Sequence, residues 1–308
     1  MKRHERRVVR FTAGQLPAEP PSGTKRGSKD WVLEEILGMV RDAGERESDV
    51  VLFGEYANLF HRSLSPRKED YVADPIPGPF VDAVGAAARR YRINVGLPVF
   101  GRYKRTVSSY VVYLDRKGSL AGVYQKTHPT IQEQRLGMVG GRDLKIIDLD
   151  FGRVGTMTCM DIEYPEVAQT LMLRGADVLF FPHVQSGWGE VDWEIRYRAR
   201  AIDTGLPVVS ACYGYPEGEW MPGKMLGRSG VIDRDGGILG DLGRSIGTIT
   251  CEVDLGIGRR TEFYFPVKLD RTLAVKASRR PELYRDLADP SFRKKALNLL
   301  KRMTRRKS

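Results

Sequence analysis

The chain has 308 residues, 41% hydrophobic and 29% charged, an ordinary balance for a globular protein able to bury a sizeable core. Its net charge of +11 sits at the ends, +4 in residues 1–10 and +8 in 291–308, so the body is near neutral at −1 and lacks the basic stripe of a nucleic-acid binder. No run approaches a membrane-spanning helix, the opening Met1–Arg7 lacks the apolar core of a signal peptide, and three cysteines without a CxxC pair suggest a reducing cytoplasm.

Taken in chain order, a helical stretch from Trp31 to Val40 precedes the short apolar run Val50–Phe53, as expected of a strand covered on both faces. Pro77-Gly78-Pro79 punctuates, Phe80 to Tyr91 reads as a helix, and Ile93 to Val99 as a strand. Strands Ser109–Leu114 and Leu120–Gln125 flank the turn Asp115-Arg116-Lys117-Gly118. A second hairpin turns at residues 150–153 and runs into Val154–Thr158. Pro165 fits the first turn of a helix and Gly175 its end, before a buried strand Val178–Phe181. A helix near Asp192–Asp203, a strand Val208–Cys212 and a hairpin Ser229–Leu239 follow. The absence of repeats or low-complexity linkers suggests one α/β domain over 1–290, with a basic tail at 291–308.

Three polar residues end apolar strands. Glu55 follows Val51–Gly54, Lys126 follows Gly122–Gln125, and Cys159 closes Val154–Thr158. Catalysts in α/β folds gather at such strand ends. A thiol attacks as thiolate beside a base or a helix N-terminus, and partial positive charge at the turn after Cys159 is expected to favour that anion. A buried carboxylate could take the proton, and an ammonium with the Met160 backbone N–H could hold an oxyanion.

Phe53-Gly54-Glu55, Tyr124–His128 and Met157–Glu166 resemble, in order, the three signature segments of the nitrilase (carbon–nitrogen hydrolase) superfamily, amidase or carbamoylase branch. The resemblance spans roughly residues 8–285, with support from Ala13–Gln15, Arg198–Ile202, Gly230–Gly236 and Arg279–Tyr284. It implies a four-layer α-β-β-α sandwich, a homodimer formed through the nucleophile-side helices, and metal-free, cofactor-free chemistry. It also implies roles: Cys159 as nucleophile, Glu55 as base, Lys126 as oxyanion stabiliser, Glu133 as the second glutamate. Gly54 departs from the proline usual before the glutamate, and Met160 from the aromatic often found after the cysteine.

The implied reaction is cleavage of a small linear amide or N-carbamoyl compound through a thioester, releasing ammonia or an amine. Its rivals are nitrile hydrolysis, acyl transfer, and a catalytically idle binding or assembly module. Met160 is a substrate-side candidate. His128 is either a neighbour of Lys126 or a hydrogen-bonded loop histidine. His183 and Trp188 are pocket candidates from their positions after a strand and in a loop, and Arg62, Arg67, Lys68, Arg135 and Arg142 could anchor a carboxylate or simply carry surface charge. A GxSxG match at 243–247 precedes a strand, Thr248–Val253, and so lacks the helix a nucleophile elbow requires. Histidines and cysteines show no metal-ligand spacing. The tail mixes Phe292, Ala296, Leu297, Leu299, Leu300 and Met303 with eight Lys/Arg, and is expected to be a solvated or dimer-packing helix, the sharper reading being weak attachment to an anionic membrane or RNA.

Overall fold

The structure, a computed structural model, describes residues 6–20, 29–59, 73–186, 190–256, 260–262 and 268–305. Contacts divide the chain into a compact unit ending at Arg259 and a second unit, Arg260–Ser308.

The first unit begins with strand β1 (Val8–Pro17), helix α1 (Lys29–Glu45), β2 (Val50–Leu52), β3 (Asp74–Ile76), α2 (Pro79–Tyr91), β4 (Asn94–Tyr103), β5 (Thr106–Leu114), β6 (Leu120–Gln125) and the short α3 (Ile131–Arg135). It continues with β7 (Ile146–Leu149), β8 (Gly152–Thr156), α4 (Pro165–Leu173), β9 (Val178–Pro182), α5 (Glu190–Asp192), α6 (Arg198–Thr204), β10 (Val208–Ala211), β11 (Tyr213–Gly214), β12 (Gly230–Ile232), β13 (Ile238–Asp241) and β14 (Gly247–Asp254). One sheet runs β11-β1-β2-β4-β5-β6, with β14 antiparallel along β1 and β3 beside β4; the other runs β13-β12-β10-β9-β8-β7.

Side chains alternate strictly across these strands, and that alternation builds the layers. Val50 and Leu52 face the second sheet while Val51 and Phe53 face α1 and α2. On β9, Val178 and Phe180 point into the space between the sheets, and Leu179 and Phe181 toward α4 and α6. Three apolar interlayers result: helix on sheet, sheet on sheet, sheet on helix. This is the four-layer α-β-β-α sandwich. The continuous apolar runs in the sequence follow from it, because a strand covered on both faces has no polar side. Each fully buried Val, Leu or Phe contributes about 1.5–3 kcal/mol.

The expected helix near 192–203 is present, with a change of pitch inside it. Residues Trp193–Tyr197 form a wider π-helical turn between α5 and α6. The extra residue lets Tyr197 sink fully into the core, its hydroxyl 3.1 Å from the carbonyl oxygens of both Val208 and Gly230. The 243–247 loop is structural: Gln15 Nε2 donates to the Gly243 and Ser245 carbonyls at 3.1 and 2.6 Å.

The second unit pairs β15 (Arg260–Glu262) with β16 (Lys268–Asp270), followed by α7 (Arg271–Ala277) and, after two tight turns, α8 (Pro290–Arg305).

Candidate active site

Glu55 lies beyond β2, fully buried, and its neighbour Tyr56 adopts a left-handed φ of 61° that ends the strand path. Its carbonyl accepts from Tyr213 Oη at 2.8 Å. Lys126 leaves β6 with its own backbone pinned: its N–H donates to Ser109 O at 3.0 Å and its carbonyl accepts from Gly141 N at 2.8 Å. The side chain, 1% exposed, can therefore reach only inward. Glu133 is set by local chemistry. It is the third residue of α3, and Thr130 caps that helix by accepting from Glu133 N while Thr130 N donates to Glu133 Oε2. The remaining capacity of that carboxylate faces Lys126.

These elements bring three charges together. Lys126 Nζ donates to Glu55 Oε1 at 2.9 Å and to Glu133 Oε1 and Oε2 at 2.8 and 3.0 Å. Ser109 Oγ donates to Glu55 Oε1 at 3.0 Å, and Tyr56 Oη donates to Glu133 Oε1. Burial discourages the ammonium, but the two carboxylates outweigh it and hold Lys126 above its ordinary range. Burial likewise opposes the Glu133 charge, yet Lys126, Tyr56 and Thr130 keep it below the usual carboxylate value. The ammonium is thus already neutralised by Glu133. For Glu55, burial wins over Lys126, with Glu133 repelling as well, and its pKa rises to about 7. Its second oxygen, Oε2, is buried and accepts no hydrogen bond from the described residues.

Cys159 arrives from the other sheet. After β8 the chain turns at Cys159, whose left-handed φ of 47° is costly for a non-glycine residue and persists only where surroundings impose it. A 3₁₀ turn, Cys159–Glu163, follows. Its thiol lies close enough to Glu55, Lys126 and Glu133 for their charges to act on it. The expectation of a thiol eased toward the anion by the following helix is corrected here. Burial first, and the Glu55 charge second, push the thiol well above its ordinary value, against the pull of Lys126 and the Val184 N–H. The 3₁₀ turn that follows is only five residues long and does not reverse that.

Asp161 holds the turn at Cys159. Fully buried, it accepts from Thr158 N and Tyr124 Oη through Oδ2 at 2.9 and 2.7 Å, and from Thr127 Oγ1, His128 N and His128 Nδ1 through Oδ1 at 2.7, 2.8 and 2.9 Å. Burial alone would raise its pKa, but these donors keep it ionised. His128 is therefore a neighbour of the Cys159 turn, stacked on Tyr164 at 3.9 Å. His183 is fully buried in the second sheet, Nε2 3.1 Å from Ser210 Oγ and Nδ1 accepting from Gln185 N, with burial lowering its pKa to about 3. Met160 is half-buried on the 3₁₀ turn, and Arg135 and Arg142 are exposed. Trp188, Arg62, Arg67 and Lys68 lie outside the described residues.

Sequence reasoning missed Tyr56, Ser109, Thr130 and Asp161. Thr130-Ile131-Gln132-Glu133 carries the spacing of a capping box, and that signal could have placed both α3 and its carboxylate. Ser109 offers only a polar residue inside an apolar strand.

A family model described as carbon-nitrogen hydrolase matches residues 12–262. The human deaminated glutathione amidase is 26% identical over 270 residues, 82% of this chain and 78% of that protein. A citrullinase of Francisella tularensis is 25% identical over 270 residues, 83% of this chain and 92% of that protein. Among solved structures, a carbon-nitrogen hydrolase from Helicobacter pylori G27 superposes with a TM-score of 0.74 at 21% identity, covering 92% of this chain and 99% of that one.

Proposed function

Since this chain belongs to the carbon–nitrogen hydrolase family, we propose that it cleaves a non-peptide C–N bond in a small linear amide or N-carbamoyl compound, with Cys159 as nucleophile. The observation that carries this reading is the buried Glu55 carboxylate, one oxygen tied to Lys126 and the other without a hydrogen bond from the described residues, in electrostatic reach of the Cys159 thiol.

In this mechanism Glu55 removes the thiol proton as sulfur attacks the carbonyl carbon. The oxyanion is met by the Lys126 ammonium and the Met160 N–H. Collapse expels ammonia or an amine, which takes the proton from Glu55 and leaves a thioester on Cys159. Water, giving a proton to Glu55, then attacks the thioester; the carboxylic or carbamic acid departs and the proton returns to sulfur. Glu133 keeps Lys126 in place and neutralises it, which leaves Glu55 basic near neutral pH. The names of two of the relatives, an amidase and a citrullinase, point to amide or carbamoyl substrates. A homodimer through the nucleophile-side helices belongs to the same reading, since Val191 and Ile195 are 67% and 63% exposed there.

The test is ammonia release from a panel of amides, N-carbamoyl amino acids and nitriles, wild type against Cys159→Ala. Cysteine-dependent release from amides or carbamoyl compounds is expected. Release from nitriles alone would replace the substrate class. Silence, with Cys159 no more reactive to iodoacetamide than buried Cys212, would turn the reading toward an idle binding module.

A further inference from the structure

The large apolar side chains described in the second unit are exposed, and the sequence of its last helix joins them to a dense basic charge. Among the described side chains of residues 273–298 none is buried. Leu283 (61% exposed), Leu287 (68%) and Phe292 (53%) form an apolar series that leads from the turns before α8 into the helix itself. The apolar area is thus larger than the tail alone suggests. Within the sequence of α8, Phe292, Ala296, Leu299, Leu300 and Met303 recur at the three- and four-residue steps that define one helical face. Eight Lys/Arg and no acid occupy residues 291–308, and α8 spans 16 residues, about 24 Å at 1.5 Å per residue. No helix among the described residues is long and apolar enough to cross a membrane.

We propose that α8 and the turns before it dock on the surface of an anionic phospholipid bilayer, the apolar side chains entering the headgroup boundary and the basic ones facing lipid phosphates. The proposal goes beyond the catalytic reading and does not depend on it. Charge and shape select this occupant. A helix of this composition, with a short apolar face, a cationic remainder and low overall hydrophobicity, lies in an interface plane and does not span it. Four to eight clustered Lys/Arg are what anionic headgroups attract. A second copy of the same helix would bring eight like charges against eight. Nucleic acid would use the charge, and Tyr284 and Phe292 for stacking, but leave Leu283, Leu287 and the aliphatic residues of α8 unused.

The experiment is co-sedimentation of the full chain with vesicles of phosphatidylcholine, alone or mixed with phosphatidylglycerol. Binding is expected only with the anionic mixture, and is expected to vanish in 1 M salt, where the screening length falls to about 3 Å. Truncation after Asp289 should abolish it. The full-length R293E/K294E/K295E and L287S/F292S variants, checked for folding by circular dichroism, should each lower binding at least about tenfold, the first through charge and the second through apolar contact. Equal binding to neutral vesicles, undiminished binding by the charge variant, or no binding at all overturns the proposal. So does RNA binding that resists L287S/F292S while vesicles are ignored, or loss of oligomer mass on truncation without any lipid affinity.

Discussion

Lys126 and Glu55 share a single hydrogen bond, 2.9 Å from Nζ to Oε1, while Glu55 Oε2 is buried and accepts none from the described residues. A lysine bound to both oxygens would have made Glu55 a quiet ion-pair partner. Because Glu133 takes the larger share of the ammonium, Glu55 keeps an unspent lone pair and a pKa near 7.

The pH profile follows directly. Glu55 must be ionised to accept the thiol proton, so kcat/KM rises with pH through about 7 and then levels off. Cys159 and Lys126 are both held above their ordinary values, so neither supplies a falling limb below about pH 9. A profile flat from pH 5 to 8 would remove Glu55 from the role of base.

Stability carries the opposite sign. Glu55 titrates near 4.5 when unfolded and about 7 when folded, so the folded state binds this proton more tightly. Its contribution is full below the unfolded value and is lost as pH rises through the folded one. Glu55→Gln should therefore match wild type in acid and melt higher in mild alkali, by on the order of 1–3 kcal/mol, while losing activity. Thermal melts across the pH range check this; equal melting in alkali contradicts it.

Cys159→Ala should reduce ammonia release at least about ten-thousand-fold, since removing a nucleophile disables the rest of the set. Its unfolding midpoint should hold or rise, because alanine carries no buried thiol beside a carboxylate.

Tyr56→Phe keeps the ring edge against Phe100 and deletes only the hydroxyl that donates to Glu133. A kcat about tenfold lower, with KM changed less, is expected if the tyrosine holds Glu133 for catalysis. Unaltered kcat would reduce the bond to a packing detail.

Asp161→Asn replaces one acceptor oxygen with an NH₂ that faces donors. With two donors on Oδ2 and three on Oδ1, either orientation leaves clashes or unpaired groups. Urea unfolding should show a loss of about 2–4 kcal/mol. A loss below about 0.5 kcal/mol would mean the turn is held by something else.

Much of this was legible in the chain. Val50–Phe53 and Val178–Phe181 announce strands covered on both faces, and Glu55, Lys126 and Cys159 are each the polar residue that ends such a run. Glu133 came only through resemblance, although Thr130 three residues before it marks a helix cap. What could not be read is what distance in sequence conceals. The eight-residue pairing of β1 with β14 joins residues about 240 apart, and the Tyr56–Glu133 bond closes a loop of 77. The wide turn at Trp193–Tyr197 is also invisible locally, because its reason, the carbonyls that receive Tyr197, lies on β10 and β12.

Glu55 and Lys126 extend from strands of one sheet and Cys159 from a strand of the other, so the set exists only across the closed sandwich. As the chain leaves the ribosome, the carboxylate and the ammonium emerge first and the cysteine follows, an ordinary thiol with no base beside it. The strands that complete the second sheet, β9, β10, β12 and β13, are made later still. The three side chains thus come together only when the two sheets meet, and an unfolding molecule separates them at the same moment.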